Sequence, residues 1–405
     1  MGIVISGIGC SLMDYLYSGI DFTSDAFEAF RSKEPGDGGL SPGRLVFTEE
    51  LERFAGIKFR EILRKIVGER AADSKNLGGP AIVALINAAQ LLSDRDISVR
   101  FYGARGQDET GERIVSIVNR TPLDIRHYVV KDGISPFTNV FSDPNYDDGR
   151  GERTFVNNIG AAWNYGPDDL DDSFYDSHVV LFGGTALVPE VHDHLLPLLR
   201  TAKEHGAVTV VSTVYDFRNE KKNPGGRWPL GGSEEAFSYM DVLITDKEEA
   251  IKISGESATE DVARFYRDRG VKSFIVTEGA EPVYFYSTGE VFAPVELTAL
   301  PVSEAVTAEL AEAETVAGDT TGCGDNFVGG VIASMASQLE KAEPGSLSLP
   351  DACSWGIASG GYTCFYLGGT YLEGKRGEKR AAVSRYFRKY RDQVQGQSPL
   401  KSRRL

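Results

Sequence analysis

The sequence predicts an α/β protein: a mainly parallel central sheet flanked by helices, with a small β-sheet as a lid. Three observations carry this expectation. From about residue 179 onward, short β-branched runs alternate with helical stretches, the pattern of parallel strands linked by crossover helices. Residues 122–162 are instead β-rich and polar, with Asp147-Asp148-Gly149 as a turn signal. Residues 326–339 contain no charged side chain, and Phe327, Val331, Met335 and Leu339 recur every fourth position, which describes a helix buried on most sides.

In order along the chain, residues 2–6 read as a buried strand running into Gly7-Ile8-Gly9-Cys10-Ser11-Leu12-Met13-Asp14. A dinucleotide fingerprint would need a glycine where Leu12 stands and a helix after it, so that reading is weak. Gly78-Gly79-Pro80 precedes Ala81, Ile82, Ala84, Leu85, Ala88, Ala89 and Leu91, a small-residue helix suited to close packing. Residues 153–156 read as a strand in the polar region. Strands are then expected at 179–182, 208–211, 242–244 and 274–276, with helices at 189–202 and 257–269. Residues 352–367 are small and apolar, with Gly356, Ser359, Gly360 and Gly361 permitting close approach to the buried helix, and they end at Gly368-Gly369. Residues 379–394 read as a surface helix, and 395–405 as a disordered tail.

With 405 residues, 41% hydrophobic and 25% charged, the composition is that of an ordinary soluble protein. A net charge of −16 opposes nucleic acid or an anionic membrane as partner, the basic residues clustering only at Lys401, Arg403 and Arg404. Cys10, Cys323, Cys353 and Cys364 form no CxxC pair, which fits a reducing cytoplasm better than a disulfide framework. No stretch approaches the roughly 18 apolar residues of a membrane span, and residues 1–10 lack the basic region of a signal peptide. A cytoplasmic protein is expected. His192 and His194, two apart on a helix, point to different sides and do not suggest zinc. The acidic run from Asp168 to Asp172 lacks the glycine and closing glutamate of a calcium loop.

The chemistry points to Gly318-Asp319-Thr320-Thr321-Gly322-Cys323-Gly324-Asp325-Asn326, just where the buried helix begins. The first turn of a helix leaves backbone N–H groups without partners, and glycines before it let the chain curve into a nest that binds an anion. Gly324 is expected at a positive φ in that nest. An aspartate beside an anion hole repels a resting phosphate but suits a hydroxyl that attacks phosphorus. The arrangement suggests phosphoryl transfer; the plain alternative is a helix capped after a glycine turn.

The same run resembles the signature of the ribokinase-like, or phosphofructokinase-B-type, carbohydrate kinases, Asp-Thr-x-Gly-(Ala or Cys)-Gly-Asp, matched by Asp319, Thr320, Gly322, Cys323, Gly324 and Asp325. The resemblance implies a three-layer ribokinase-like fold in one domain over residues 1–394, with lid segments at about 40–47 and 122–162. It further implies ATP- and Mg2+-dependent phosphorylation of a sugar or sugar-acid hydroxyl. Asp325 would be the general base and the turn of Gly322, Cys323, Gly324 and Asp325 the anion hole, Cys323 serving as a small filler. By the same resemblance Asp14, Gly78 and Gly79 bind the sugar, although Val83 stands where the family usually has an asparagine. Asp246 and Glu249 match the family's Asn-x-x-Glu near the phosphates, with Glu249 in the magnesium shell and aspartate replacing asparagine. An acidic first helical turn accounts for both carboxylates equally simply. Thr277, Gly279 and Thr320 would contact nucleotide, and Asp319 would help hold a metal or a monovalent cation such as K+. Residues 103–111 match an architectural turn, Arg153 would either reach substrate or face solvent, and the lid would offer a homodimer contact. A nucleoside kinase and a non-catalytic sugar or nucleotide sensor are the rival readings.

Overall fold

The computed structural model describes residues 2–34, 36–312 and 320–396, so Asp319 and the chain beyond 396 lie outside the described residues. Within them the strands in the first half are β1 (Ile3–Gly9), β2 (Leu12–Ser18), β3 (Leu45–Phe47), β4 (Ser74–Gly78), β5 (Ile97–Arg105), β6 (Asp124–Val130), β7 (Phe137–Asp143) and β8 (Glu152–Asn158). The second half adds β9 (Val179–Gly183), β10 (Val208–Ser212), β11 (Val242–Asp246), β12 (Ser273–Thr277), β13 (Val283–Ser287) and β14 (Val295–Leu300).

The large sheet has the order β14-β13-β12-β11-β10-β9-β1-β5-β6. All neighbours from β6 to β12 are parallel, and β13 and β14 finish it antiparallel. Its central strands are buried on both faces, which is why Val179, Val180, Leu181 and Phe182 can all be apolar. Separate apolar clusters fill the two faces, making three layers. The expected α/β architecture with its mainly parallel sheet is borne out.

The small sheet has the order β3-β8-β7-β2-β4 and its own apolar cluster around Phe22, Phe27, Leu51, Ile62, Phe141 and Val156. Two expectations about its extent need correction. Residues 124–130 pair with β5 at the edge of the large sheet instead of joining the small one. Conversely β2 and β4 belong to the small sheet, so the chain crosses between sheets directly after β1. The expected 189–202 helix is also broken, into Pro189–Asp193 and Leu195–Glu204. Pro197 has no N–H to offer the carbonyl of Asp193, four residues back, so a continuous helix would lose a hydrogen bond there.

Five helices of the flanking layers bear on the site: α2 (Lys247–Ser254) on one face of the large sheet, and α1 (Pro80–Leu91), α3 (Cys323–Leu339), α4 (Leu349–Thr363) and α5 (Glu378–Gly396) on the other. The buried helix expected at 326–339 is α3, wedged between α1 and α4. A Cβ at Gly329 would come within 2.3 Å of the Ala84 carbonyl oxygen, and one at Gly330 within 2.6 Å of that of Trp355, so the glycine pair lets both neighbours approach backbone to backbone. Helix α5 is not a plain surface helix: Lys379, Val383, Tyr386, Phe387 and Tyr390 form a buried stripe along it.

Candidate active site

Gly322 caps α3 in the left-handed region, φ 76° and ψ 8°. Its Cβ position is filled by another backbone, 2.3 Å from Gly369 Cα, so two chain segments touch here through glycines alone. The Asn326 backbone N–H donates to Gly322 O at 2.9 Å. The Asn326 side-chain Nδ2 donates to Gly322 O and Gly369 O, each at 2.8 Å. Gly324 is not left-handed, contrary to expectation: it already lies in the first turn of α3. What distinguishes it is space, since apart from its own turn of helix no atom lies within 4 Å of its Cβ position and the residue is exposed. The nest is thus bent at Gly322 and open at Gly324. Thr320 is exposed beside it, its carbonyl accepting from the Cys323 N–H at 3.3 Å. Cys323 Sγ lies 3.6 Å from Cys364 Sγ, at the end of α4.

Asp325 sits in this first turn, half-buried. Desolvation pushes its carboxyl up to about 6, far above an ordinary aspartate.

At the end of β11, Asp246 caps α2: the Glu249 N–H donates to Asp246 Oδ1 at 2.7 Å, and the Asp246 N–H to Glu249 Oε2 at 3.4 Å, a capping box. Glu249 is buried and also accepts from the Thr213 hydroxyl. Burial, then the charges of Asp246 and Asp325, push it up to about 8. The Asp325 charge acts on Glu249, so the Asp325 turn and the start of α2 lie near each other. Glu249 thus feels two other carboxylates, a charge pattern that an oxygen-seeking divalent cation would relieve, and Asp246 and Glu249 are the residues that would face it. Among the described residues no group of three or more His, Cys, Asp or Glu is arranged to hold a metal alone, so ligand oxygens would have to complete the shell. Asp319 lies outside the described residues. Thr277 pairs with Asp246 across β11 and β12, its Oγ1 donating to Thr245 O at 3.4 Å. Gly279, at φ 51°, faces open space just beyond.

Asp14 lies on β2 opposite Asn76 on β4. Gly78 makes room for it, since a Cβ there would come within 2.3 Å of Asp14 Oδ2. Gly79, at φ 107°, caps α1 with its Cβ position 2.5 Å from Cys10 O. Val83 is buried, with a methyl 3.1 Å from the Cβ position of Gly369, so the apolar side chain serves as packing for the turn. Gly368 in turn packs on Asn76. The Gly368-Gly369 pair therefore joins the Asp14 strands to the Gly322 turn.

Arg153 is exposed on β8. Asp108 is architectural, accepting from Gly111 N–H at 2.8 Å and Ser135 N–H at 2.7 Å. His192 is buried between Thr185 and Pro229 O while His194 is exposed, so the two rings do part. No helix among the described residues is long and apolar enough to cross a membrane.

Sequence reading missed Asn87, Thr213 and Lys379. Asn87 Nδ2 donates to Asn326 O at 2.7 Å from the middle of α1. A lone asparagine in so apolar a helix was the available signal. Thr213 and Lys379 gave none.

Residues 57–373 match the pfkB family carbohydrate kinase. A ribokinase of Staphylococcus aureus (strain COL) is 23% identical over 287 residues, 69% of this chain and 79% of that protein. A 2-dehydro-3-deoxygluconokinase of Thermoproteus tenax is 27% identical over 192 residues, 45% of this chain and 56% of that one. Among solved structures, the adenosine kinase from Sinorhizobium meliloti superposes with a TM-score of 0.65 at 18% identity, covering 95% of this chain and 99% of its own. A probable sugar kinase from Rhizobium etli CFN 42 gives 0.67 at 16% identity, covering 95% and 98%. The glycine turn, the sheet order and a match across most of the chain agree: this protein belongs to the pfkB family of carbohydrate kinases.

Proposed function

We propose that this kinase transfers the terminal phosphoryl group of ATP to a hydroxyl of a free sugar or sugar acid, with Asp325 as general base. The observation that carries the reading is the placement of Asp325: a desolvated carboxylate in the first turn of α3, next to the exposed, open glycine Gly324. The substrate oxygen forms a bond to phosphorus while the bond to the bridging oxygen of ADP breaks. Asp325 orients the hydroxyl and takes its proton, and the amides of Gly324 and Asp325 stabilise charge on the moving group. In a loose transition state the proton leaves late, so a modest base suffices.

Thr277, Gly279 and Thr320 hold the nucleotide. Asp246 and Glu249, with nucleotide oxygens, would hold Mg2+, which supplies neutralisation of phosphate charge. Asp14 accepts from adjacent substrate hydroxyls where Gly78 and Gly79 let the acceptor approach the backbone. The relatives named ribokinase and 2-dehydro-3-deoxygluconokinase support a sugar or sugar-acid acceptor.

The test offers purified protein ATP, Mg2+ and a panel of pentoses, hexoses, keto-deoxy sugar acids and nucleosides, with ADP release measured for each. Turnover on a free sugar or sugar acid is expected. Turnover confined to nucleosides overturns the acceptor assignment; saturable sugar binding without turnover on any acceptor overturns the catalytic one.

A further inference from the structure

Behind the glycine turn lies a polar cluster that the transfer chemistry above leaves unused. Lys379, the second residue of α5, is fully buried. Its Nζ donates to Asn326 Oδ1 at 2.6 Å and lies 5.6 Å from the centre of the Tyr366 ring, a cation–π distance. The Tyr366 hydroxyl is 3.4 Å from the same Oδ1. Glu373 favours the charged amine, yet its Oε1 accepts from the Lys379 backbone N–H at 2.9 Å. Burial outweighs it and lowers Lys379 to about 7. A buried lysine whose side chain meets a neutral amide is costly unless that amide needs it.

The amide does need it. A side-chain amide has one accepting and one donating end, and a neighbour on either side decides which way it points. Lys379 holds Oδ1, so Nδ2 must face the opposite way, toward the carbonyls of Gly322 and Gly369. Turned around, Oδ1 would meet two carbonyl oxygens and Nδ2 would meet the lysine, leaving buried groups unpaired on both sides. Asn326 also immediately follows Asp325, and its main-chain oxygen is held by Asn87.

We propose that Lys379 is a positioning residue for phosphoryl transfer: by fixing the Asn326 amide it ties Gly322 to Gly369 and so holds the amides that open α3 beside Asp325. The proposal rests on the functional reading above, and it deepens it. Lys379 itself touches no substrate; it acts through Asn326.

The test compares Lys379→Met, which keeps length and apolar bulk but removes the donor, with Lys379→Gln, which keeps one. Steady-state kinetics and amide hydrogen exchange are read on each. Lys379→Met should lower kcat by about 10- to 100-fold, the scale of an ångström-sized misplacement, with both KM values within about threefold of the parent. Exchange should quicken about tenfold at residues 320–326 while α5 stays protected. Lys379→Gln should recover most of both. Asn326→Asp, which can pair with Lys379 but cannot donate to the carbonyls, should fail as Lys379→Met does. Parent-like kcat and exchange in Lys379→Met overturn the proposal, as does protection lost throughout α5 and α3, which would make the lysine merely structural. If the parent protein turns over no acceptor, the functional reading fails separately; exchange confined to residues 320–326 then still upholds the clamp, and unchanged exchange refutes it.

Discussion

What Asp325 can do depends on where its proton equilibrium sits. Raised by burial to about 6, it is protonated in mildly acidic solution, and only the carboxylate can take a proton. kcat/KM should therefore fall about tenfold per pH unit below about pH 6, measurable in a rate profile at saturating Mg2+. The sign for stability is opposite to that of a salt-bridged carboxylate. Between the unfolded value near 3.8 and the folded value near 6 the folded chain binds the extra proton, so this group's contribution weakens as pH rises through that window. Asp325→Asn should consequently lower kcat by about 10²- to 10⁴-fold without lowering the melting temperature at pH 8; near-parental turnover would sink the base assignment. At the neighbouring site, Asp246→Asn should move the midpoint of the Mg2+ titration up by about tenfold, the usual effect of disturbing a metal's surroundings. An unchanged titration would leave Asp246 a helix cap. The motifs singled out Asp325 and Glu249 as candidates from runs of adjacent residues, and the fold sets the two near each other. Gly324 was misread because the run does not say which of its glycines takes the bend: it falls at Gly322, where Gly369 fills the space a Cβ would need. Lys379 was invisible because its partner is 53 residues away in the chain.

Among the elements, the parallel strands were plain in the sequence because burial on both faces writes an unbroken apolar run. The strands of the small sheet were not: β2, LMDYLYS, is half-buried with no strict alternation, and β4 reads SKNLG. Helix α3 was legible for the same reason as the large sheet, yet nothing in its own periodicity says which helices it touches. Gly329 answers that, because its missing side chain is where α1 comes in. Gly329→Ala would place a Cβ 2.3 Å from a main-chain oxygen and 2.8 Å from Asn87 Cβ. Such overpacking costs about 1–3 kcal/mol, which a lower urea midpoint with unchanged slope would register. Since Asn87 holds the Asn326 carbonyl, kcat should fall as well. Loss of stability with intact kcat would separate α1 packing from the site.

At the scale of the whole molecule, the two sheets are not a body and a detachable flap. One strand path runs through both: β1 ends at Gly9 and β2 begins at Leu12, while β4 returns through Gly79 into α1. These two crossings lie against each other, with the Gly79 Cβ position 2.5 Å from Cys10 O, and Ser11 Oγ is within 2.7 Å of the Tyr128 hydroxyl on β6. A small sheet that moved as one body would have these two crossings, at Cys10 and Gly79, as its pivot. At about 3.3 Å per residue, Asp14 stands roughly 13 Å from the pivot and Ser18 roughly 26 Å. A tilt would sweep the far end of β2 about twice as far as the carboxylate. Spin labels at residue 18 and on α4 should therefore change separation on adding the acceptor, while a pair reporting on Met13 and α4 should change less than half as much; equal shifts would mean that the sheet translates. If it tilts, the far end of the small sheet can swing clear of the large sheet while the Asp14 carboxylate travels only about half as far.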